Sequence, residues 1–254
     1  MGIVLMTAVP AFVFIALERV CSIRPQRILR PGWRTDLCHF LLDAVPVTLM
    51  LIVLDTTFGQ ALRQLTPGPL RAAIGALPFV VQLGVVVVLC ELGMYWSHRL
   101  EHEIPLLWRF HAVHHSSTEV DWLSTQRTHP VDGVFRRLFL VPVYAIGFSV
   151  TCLGIYLVAY YLWSFVVHAN LRVRFGRLEG VVASPEFHRW HHAAEPDAVD
   201  TNYAPLLPVF DRIFGTWRRP GRWPRSYGCD APVPAGYVAQ LAYPFRTGEA
   251  TTVR

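Results

Sequence analysis

Apolar and polar positions fall into long blocks along this chain. Four apolar stretches stand out: residues 2–17, residues 37–58 broken by Asp43 and Pro46, residues 77–97 with four consecutive valines, and residues 138–167 without a single charge. A helix crosses the hydrocarbon core of a bilayer in about 20 residues. The first stretch is short for a span and lacks the basic start and cleavage site of a secretory signal, so it reads as a retained helix. The third is the most convincing span. The fourth is too long for one upright helix, which leaves either a single tilted helix or a hairpin that enters and returns. Gly147 and Gly154 are candidate breaks and Pro142 a candidate kink. The expectation is an all-α integral-membrane bundle of about four spans, with no internal repeat.

Composition agrees. The 254 residues are 53% hydrophobic and 16% charged, with a mean hydropathy of +0.34, where soluble domains carry about 25% charged residues. The net charge is +5, and all 23 basic residues are arginine. These arginines border apolar runs, so anionic lipid head groups are the better partner and nucleic acid is not expected. The five cysteines form no close pair and read as reduced and structural.

Arginine placement predicts orientation. Arg19, Arg24, Arg27, Arg30 and Arg34 lie between the first two stretches, against Arg63 and Arg71 in the next connection. The positive-inside rule puts the first loop, and hence everything from His98 on, in the cytoplasm. The chain then divides as one domain over 1–254. Its cap comprises residues 98–136 and 168–218, and a tail follows over 219–254.

Ten of the eleven histidines lie between residues 98 and 192. His98 and His102 form HxxxH; His111, His114 and His115 form HxxHH; His129 and His168 stand alone; His188, His191 and His192 form a second HxxHH. Residues three and four apart share a helix face, so each group is expected to aim two or three imidazoles at one point. Neutral imidazole is a common metal ligand. A mononuclear site uses three or four ligands, so ten histidines predict two metals with roughly five nitrogens each. One isolated HxxxH is more often solvated or a core filler; three groups on one membrane side are not. His129 and His168 carry a larger share of the alternative in which each is a satisfied core histidine. His39, four residues before Asp43, reads as a simple His–Asp pair. Both HxxHH groups reach one site only if residues 138–167 return the chain to the same side, which favours the hairpin.

Carboxylates are expected behind these ligands. Glu91 lies in the third apolar run, where an ionisable residue is costly, and shares a helix face with Tyr95, His98 and His102. Asp132, Glu186 and Asp200 are the other candidates.

The order HxxxH, HxxHH, Thr128-His129-Pro130, His168-Ala169-Asn170 and HxxHH, followed by Asp200-Thr201-Asn202-Tyr203 and by DRIFGTW from Asp211 to Trp217, resembles the fatty acid hydroxylase / sterol desaturase superfamily over about residues 80–218. The resemblance implies a helical membrane protein whose cytosol-facing cap holds two non-haem irons in an all-histidine shell, with zinc a possible substitute. It also implies use of O2 to hydroxylate or desaturate an unactivated C–H bond of a lipid. No fused b-type cytochrome or ferredoxin is found, so electrons are expected from a separate ferredoxin or b-type cytochrome with its reductase. Sterol, sphingolipid, fatty acyl, ether lipid and carotenoid substrates stay equally open. The competing readings are a membrane metal transporter and a zinc hydrolase. A transporter sets its ligands near the bilayer midplane, whereas these histidines follow the spans. A hydrolytic zinc uses three protein ligands and an open position, which ten histidines exceed.

Overall fold

The computed structural model describes residues 2–246, with side chains from Val9 on, and among them it is all-helical. The end of the expected tail, 247–254, lies outside the described residues, as do the side chains that open the first stretch. In chain order the helices are α1 (Gly2–Val20), α2 (Trp33–Leu42), α3 (Ala44–Leu54), α4 (Gln60–Leu65), α5 (Gly68–Gly75), α6 (Phe79–Glu103), α7 (Pro105–His115), α8 (Pro130–Leu138), α9 (Val141–Ala145), α10 (Val150–His168), α11 (Pro185–His191), α12 (Val209–Ile213) and α13 (Tyr237–Ala242). A π-helical turn, Asp55–Gly59, joins α3 and α4. There the Thr56 and Thr57 hydroxyls donate back to Ile52 and Val53 carbonyls.

Three helices are long and apolar enough to cross a membrane: Ala44–Leu65, Phe79–Glu103 and Val150–His168. Val45, Leu49, Val53, Val80, Val88 and Val158 stand exposed on them, as lipid-facing side chains do. The second expected span is displaced, starting at Ala44 and not at residue 37. The cause is Asp43, which breaks the run to accept from Tyr237 Oη at 2.7 Å and pair with His39 Nδ1 at 2.6 Å. α2 is therefore a separate helix clasped to the C-terminal segment through His39 and Gln240.

The fourth stretch is a hairpin with unequal legs. Its outgoing leg is α8 and α9, so it begins at Pro130, inside the segment assigned from sequence to the cap. Its return leg is the single helix α10. The turn falls at Gly147, whose φ of 115° and close approach to Arg71, 2.8 Å from a would-be Cβ, both require glycine. Gly154 lies inside α10 and breaks nothing. Gln82 pins this end, donating to the Gly75 and Leu77 carbonyls and accepting from Ser149 N. Val86, Cys90 and Met94 of α6 pack with Val143, Phe148, Cys152 and Tyr156 to form the core between the legs. α6 and α10 consequently run the same way and deliver their C-terminal histidines to one end of the bundle.

Candidate metal centre

Each element reaches the site for a local reason. α6 continues beyond its apolar run, so His98 and His102 follow one another on one face. Pro105 forces Ile104 to extended geometry (φ −98°, ψ 116°), ending α6. Pro105 then opens α7, which folds back with His111, His114 and His115. His168 is the last residue of α10. Ser184 caps α11 by accepting from Phe187 N at 3.2 Å, with Pro185 next, which sets the phase of His188, His191 and His192.

Nine histidines converge, all buried, in two neighbouring groups. His98, His102, His111, His115 and His191 form one; His114, His168, His188 and His192 form the other, with the donor atoms of each group within 4.8 Å of one another. Each HxxHH is thus divided between two points, where one point per cluster was expected. Successive residues on a helix are about 100° apart, so His114 and His115 face different groups. His115 and His192 stack at 4.5 Å across the divide.

The nitrogens fit metal ions. In the first group His111 Nε2 lies 3.1 Å from His98 Nε2 and 3.0 Å from His115 Nε2. In the second, His168 Nε2 lies 3.2, 3.1 and 3.1 Å from those of His114, His188 and His192. Two donors about 2.1 Å from one ion are about 3.0 Å apart at a right angle and about 3.4 Å at the tetrahedral angle. The Nε2 atoms of His102 and His191 are buried without any partner, a costly state that a cation would relieve. Burial pushes the pKa values of His111, His114, His115, His188, His191 and His192 well below the ordinary histidine value. The rings are therefore neutral, with lone pairs to offer.

The outer nitrogens hold the rings in place. Tyr203 O accepts from His98 Nδ1 at 2.7 Å, Thr201 O from His191 Nδ1 at 2.8 Å, and Asp200 Oδ1 lies 3.4 Å from His102 Nδ1. The loop 200–203, with φ of 55° at Asp200 and 59° at Asn202, thereby serves three members of the five-histidine group. Asp132 Oδ2 takes the His111 Nδ1 proton at 2.9 Å. Arg127 O accepts from His114 Nδ1 at 3.1 Å, and Ser164 O from His168 Nδ1 at 2.8 Å.

His129 is not brought together with the other nine. Its Nδ1 accepts from Val131 N and caps α8, so its Nε2 carries the proton and donates to Leu241 O, both at 3.1 Å. Neither nitrogen is left to bind a metal. Glu91 also stands off. Seven residues from His98 on one helix is about 10 Å along the axis, and its oxygens take Tyr156 Oη at 2.8 Å and the Leu206 and Leu207 N–H groups at 3.1 and 3.0 Å. It clamps a loop and contacts no ligand candidate. Glu186 pairs with Arg174 at 2.8 Å. Sequence reasoning missed Glu101 and Arg136: Arg136 Nε bridges Glu101 Oε2 at 2.8 Å and Asp132 Oδ1 at 2.9 Å behind His111. The i, i+4 spacing of Asp132 and Arg136 was the one available signal. The carbonyls of Arg127, Ser164, Thr201 and Tyr203 leave no mark in a sequence.

The fatty acid hydroxylase family model matches residues 83–216, more than half of the chain and every converging histidine. The chain belongs to this family. It is 37% identical to the ornithine lipid hydroxylase OlsE of Rhizobium tropici over 66% of its own length and 51% of that protein. It is 32% identical to the alkylglycerol monooxygenase of Xenopus tropicalis over 56% of its length and 32% of that protein. It is 30% identical to the Delta(7)-sterol-C5(6)-desaturase of Nicotiana tabacum over 58% and 53%. The chain thus spans about half or less of the curated relatives it matches. No solved structure matches it. These relatives are named as a lipid hydroxylase, a monooxygenase and a desaturase.

Proposed function

We propose that the nine converging histidines hold two iron ions, and that the protein oxidises an unactivated C–H bond of a membrane lipid with O2, by hydroxylation ahead of desaturation. The observation that carries this is the pair of five- and four-nitrogen groups, neutral, buried and side by side. Bound iron would supply the activation of dioxygen. Hydroxylation balances as RH + O2 + 2e⁻ + 2H⁺ giving ROH and H2O, so two electrons are needed, for which a ferredoxin or b-type cytochrome system is the proposed donor. The arginine-rich first loop supports a cytoplasmic side for the histidine end by the positive-inside rule, the side on which such a donor would meet it.

The chain's own residues contribute position and dryness. The outer-nitrogen partners fix each ring, which raises its basicity and presents Nε2 inward. An apolar groove of about 360 Å³ opens between α6 and α9, lined by Leu89, Leu92, Trp96, Phe139 and Val143 among others. It runs along the helix that ends in His98 and His102, and suits an alkyl chain.

The test is an iron-reconstituted preparation supplied with reductant and membrane lipids, read by mass spectrometry. Gain of one oxygen or loss of two hydrogens in a lipid class is expected; neither change in any class overturns the reading. Zinc fits the same nitrogens, so iron content is measured on the same sample.

A further inference from the structure

We infer that the two histidine groups are unequal metal sites: the five-histidine group keeps its ion, and the four-histidine group holds an exchangeable one. The inference rests on the dinuclear reading above and concerns the residues packed around each group.

Charge behind the rings differs first. In the five-histidine group, Asp132 Oδ2 lies 2.9 Å and Glu101 Oε2 3.8 Å from His111 Nδ1, and Asp200 Oδ1 lies 3.4 Å from His102 Nδ1. Three carboxylates stand against the single guanidinium of Arg136, so the surroundings favour a cation. Arg136 Nη2 also lies 3.0 Å from His111 Nδ1. A proton donated there would move the ring proton to Nε2 and remove the ligand. Asp132 decides the matter by taking the Nδ1 proton itself. Because Arg136 already bridges Glu101 and Asp132, this trio is the wall behind His111 and not a third metal site.

The four-histidine group is backed differently. Its outer partners are the neutral Arg127 and Ser164 carbonyls and the Thr125 hydroxyl, 2.9 Å from His168 Nδ1, while His188 Nδ1 is buried with no partner. Among the described residues no carboxylate reaches ion-pairing distance of His114, His168, His188 or His192. A buried cation stands there instead. Arg189, fully buried and next to His188, donates to the carbonyls of His168, Ala169 and Val120 at 2.8, 3.2 and 3.0 Å and to Tyr227 Oη at 2.9 Å. Its Nη2 has no partner, and no carboxylate among the described residues forms an ion pair with it. Glu18 acts on it only from beyond ion-pairing distance, so this positive charge repels a divalent ion nearby, where the low dielectric strengthens the effect. Carboxylate support and local charge point the same way.

The test loads the full chain in detergent with zinc, which fills nitrogen sites without redox change, and dialyses it against increasing chelator. Metal per chain is counted by native mass spectrometry. Two release steps with a plateau at one metal are expected. Asp132→Asn, and independently Asp200→Asn at a half-exposed position that spares the fold, should shift only the resistant step, by about 10- to 100-fold. His188→Ala should remove the labile step and leave the resistant one in place. Loss of both metals in one step, or a shift of the labile step in the aspartate variants, overturns the inference and leaves the dinuclear reading standing. General loosening of the fold would move both steps together. A chain that binds no zinc overturns the dinuclear reading instead.

Discussion

His98 and Asp211 are joined through the backbone of Tyr203. The Tyr203 carbonyl accepts from His98 Nδ1 at 2.7 Å, and its N–H donates to Asp211 Oδ1 at 2.7 Å. Asp211 also takes Ala204 N at 2.9 Å and the Thr216 hydroxyl at 2.7 Å, so one carboxylate sets the loop that orients a candidate ligand. Removing it strands buried donors, each costing about 1–3 kcal/mol. Asp211→Ala should lower stability by about 3 kcal/mol in denaturant unfolding and reduce metal content. Unchanged unfolding and metal content would show that the loop holds itself.

His114 and His191 belong to different groups, yet both should be indispensable to a dinuclear reaction. His114→Ala and His191→Ala are each expected to abolish lipid product and to lower bound metal, measured on iron-reconstituted protein. Full activity in either variant would remove that residue from the site.

His129 supplies the control. As an α8 cap tied to Leu241, its replacement by alanine should cost about 1 kcal/mol of stability, while metal per chain stays at the wild-type value. Loss of one metal in His129→Ala would return it to the ligand set.

Acid should destabilise the metal-free protein. Burial holds the folded-state pKa values of His111, His114, His115, His188, His191 and His192 below the unfolded value of about 6.5. Below that value the unfolded chain binds more protons than the folded one, so stability rises with pH there and falls as the solution is acidified. Melting temperatures of metal-free protein should be level above pH 7 and drop steadily towards pH 5. A flat profile would mean that these rings are solvated.

The groove between α6 and α9 gives a substrate-side prediction. Leu92→Trp fills part of its wall without touching a histidine. It should raise KM for a long-chain lipid several-fold with metal content unchanged. An unaltered KM would place the alkyl chain elsewhere.

Much was legible without coordinates, because the signals are local and strong. Long uncharged runs dictate membrane helices, since an unpaired backbone group in hydrocarbon costs too much for anything else. Eight histidines in three groups at helical spacings point to a candidate metal centre, and the need to bring His114 and His191 to one side already favoured the hairpin over residues 138–167. Tertiary structure decided the rest. Spacing could not say that His114 and His115 face different histidine groups, because that depends on where α10 and α11 stand around α7. Nor could it separate His129 from the other nine, since the Leu241 carbonyl that occupies it arrives from 112 residues away. Glu91 shares a face with His98 in sequence, but the depth of the Leu206–Leu207 loop beside it turned its carboxylate to other work. The outer nitrogens are met largely by backbone carbonyls, which every residue carries alike, so their selection is a property of packing and leaves nothing in the sequence to read.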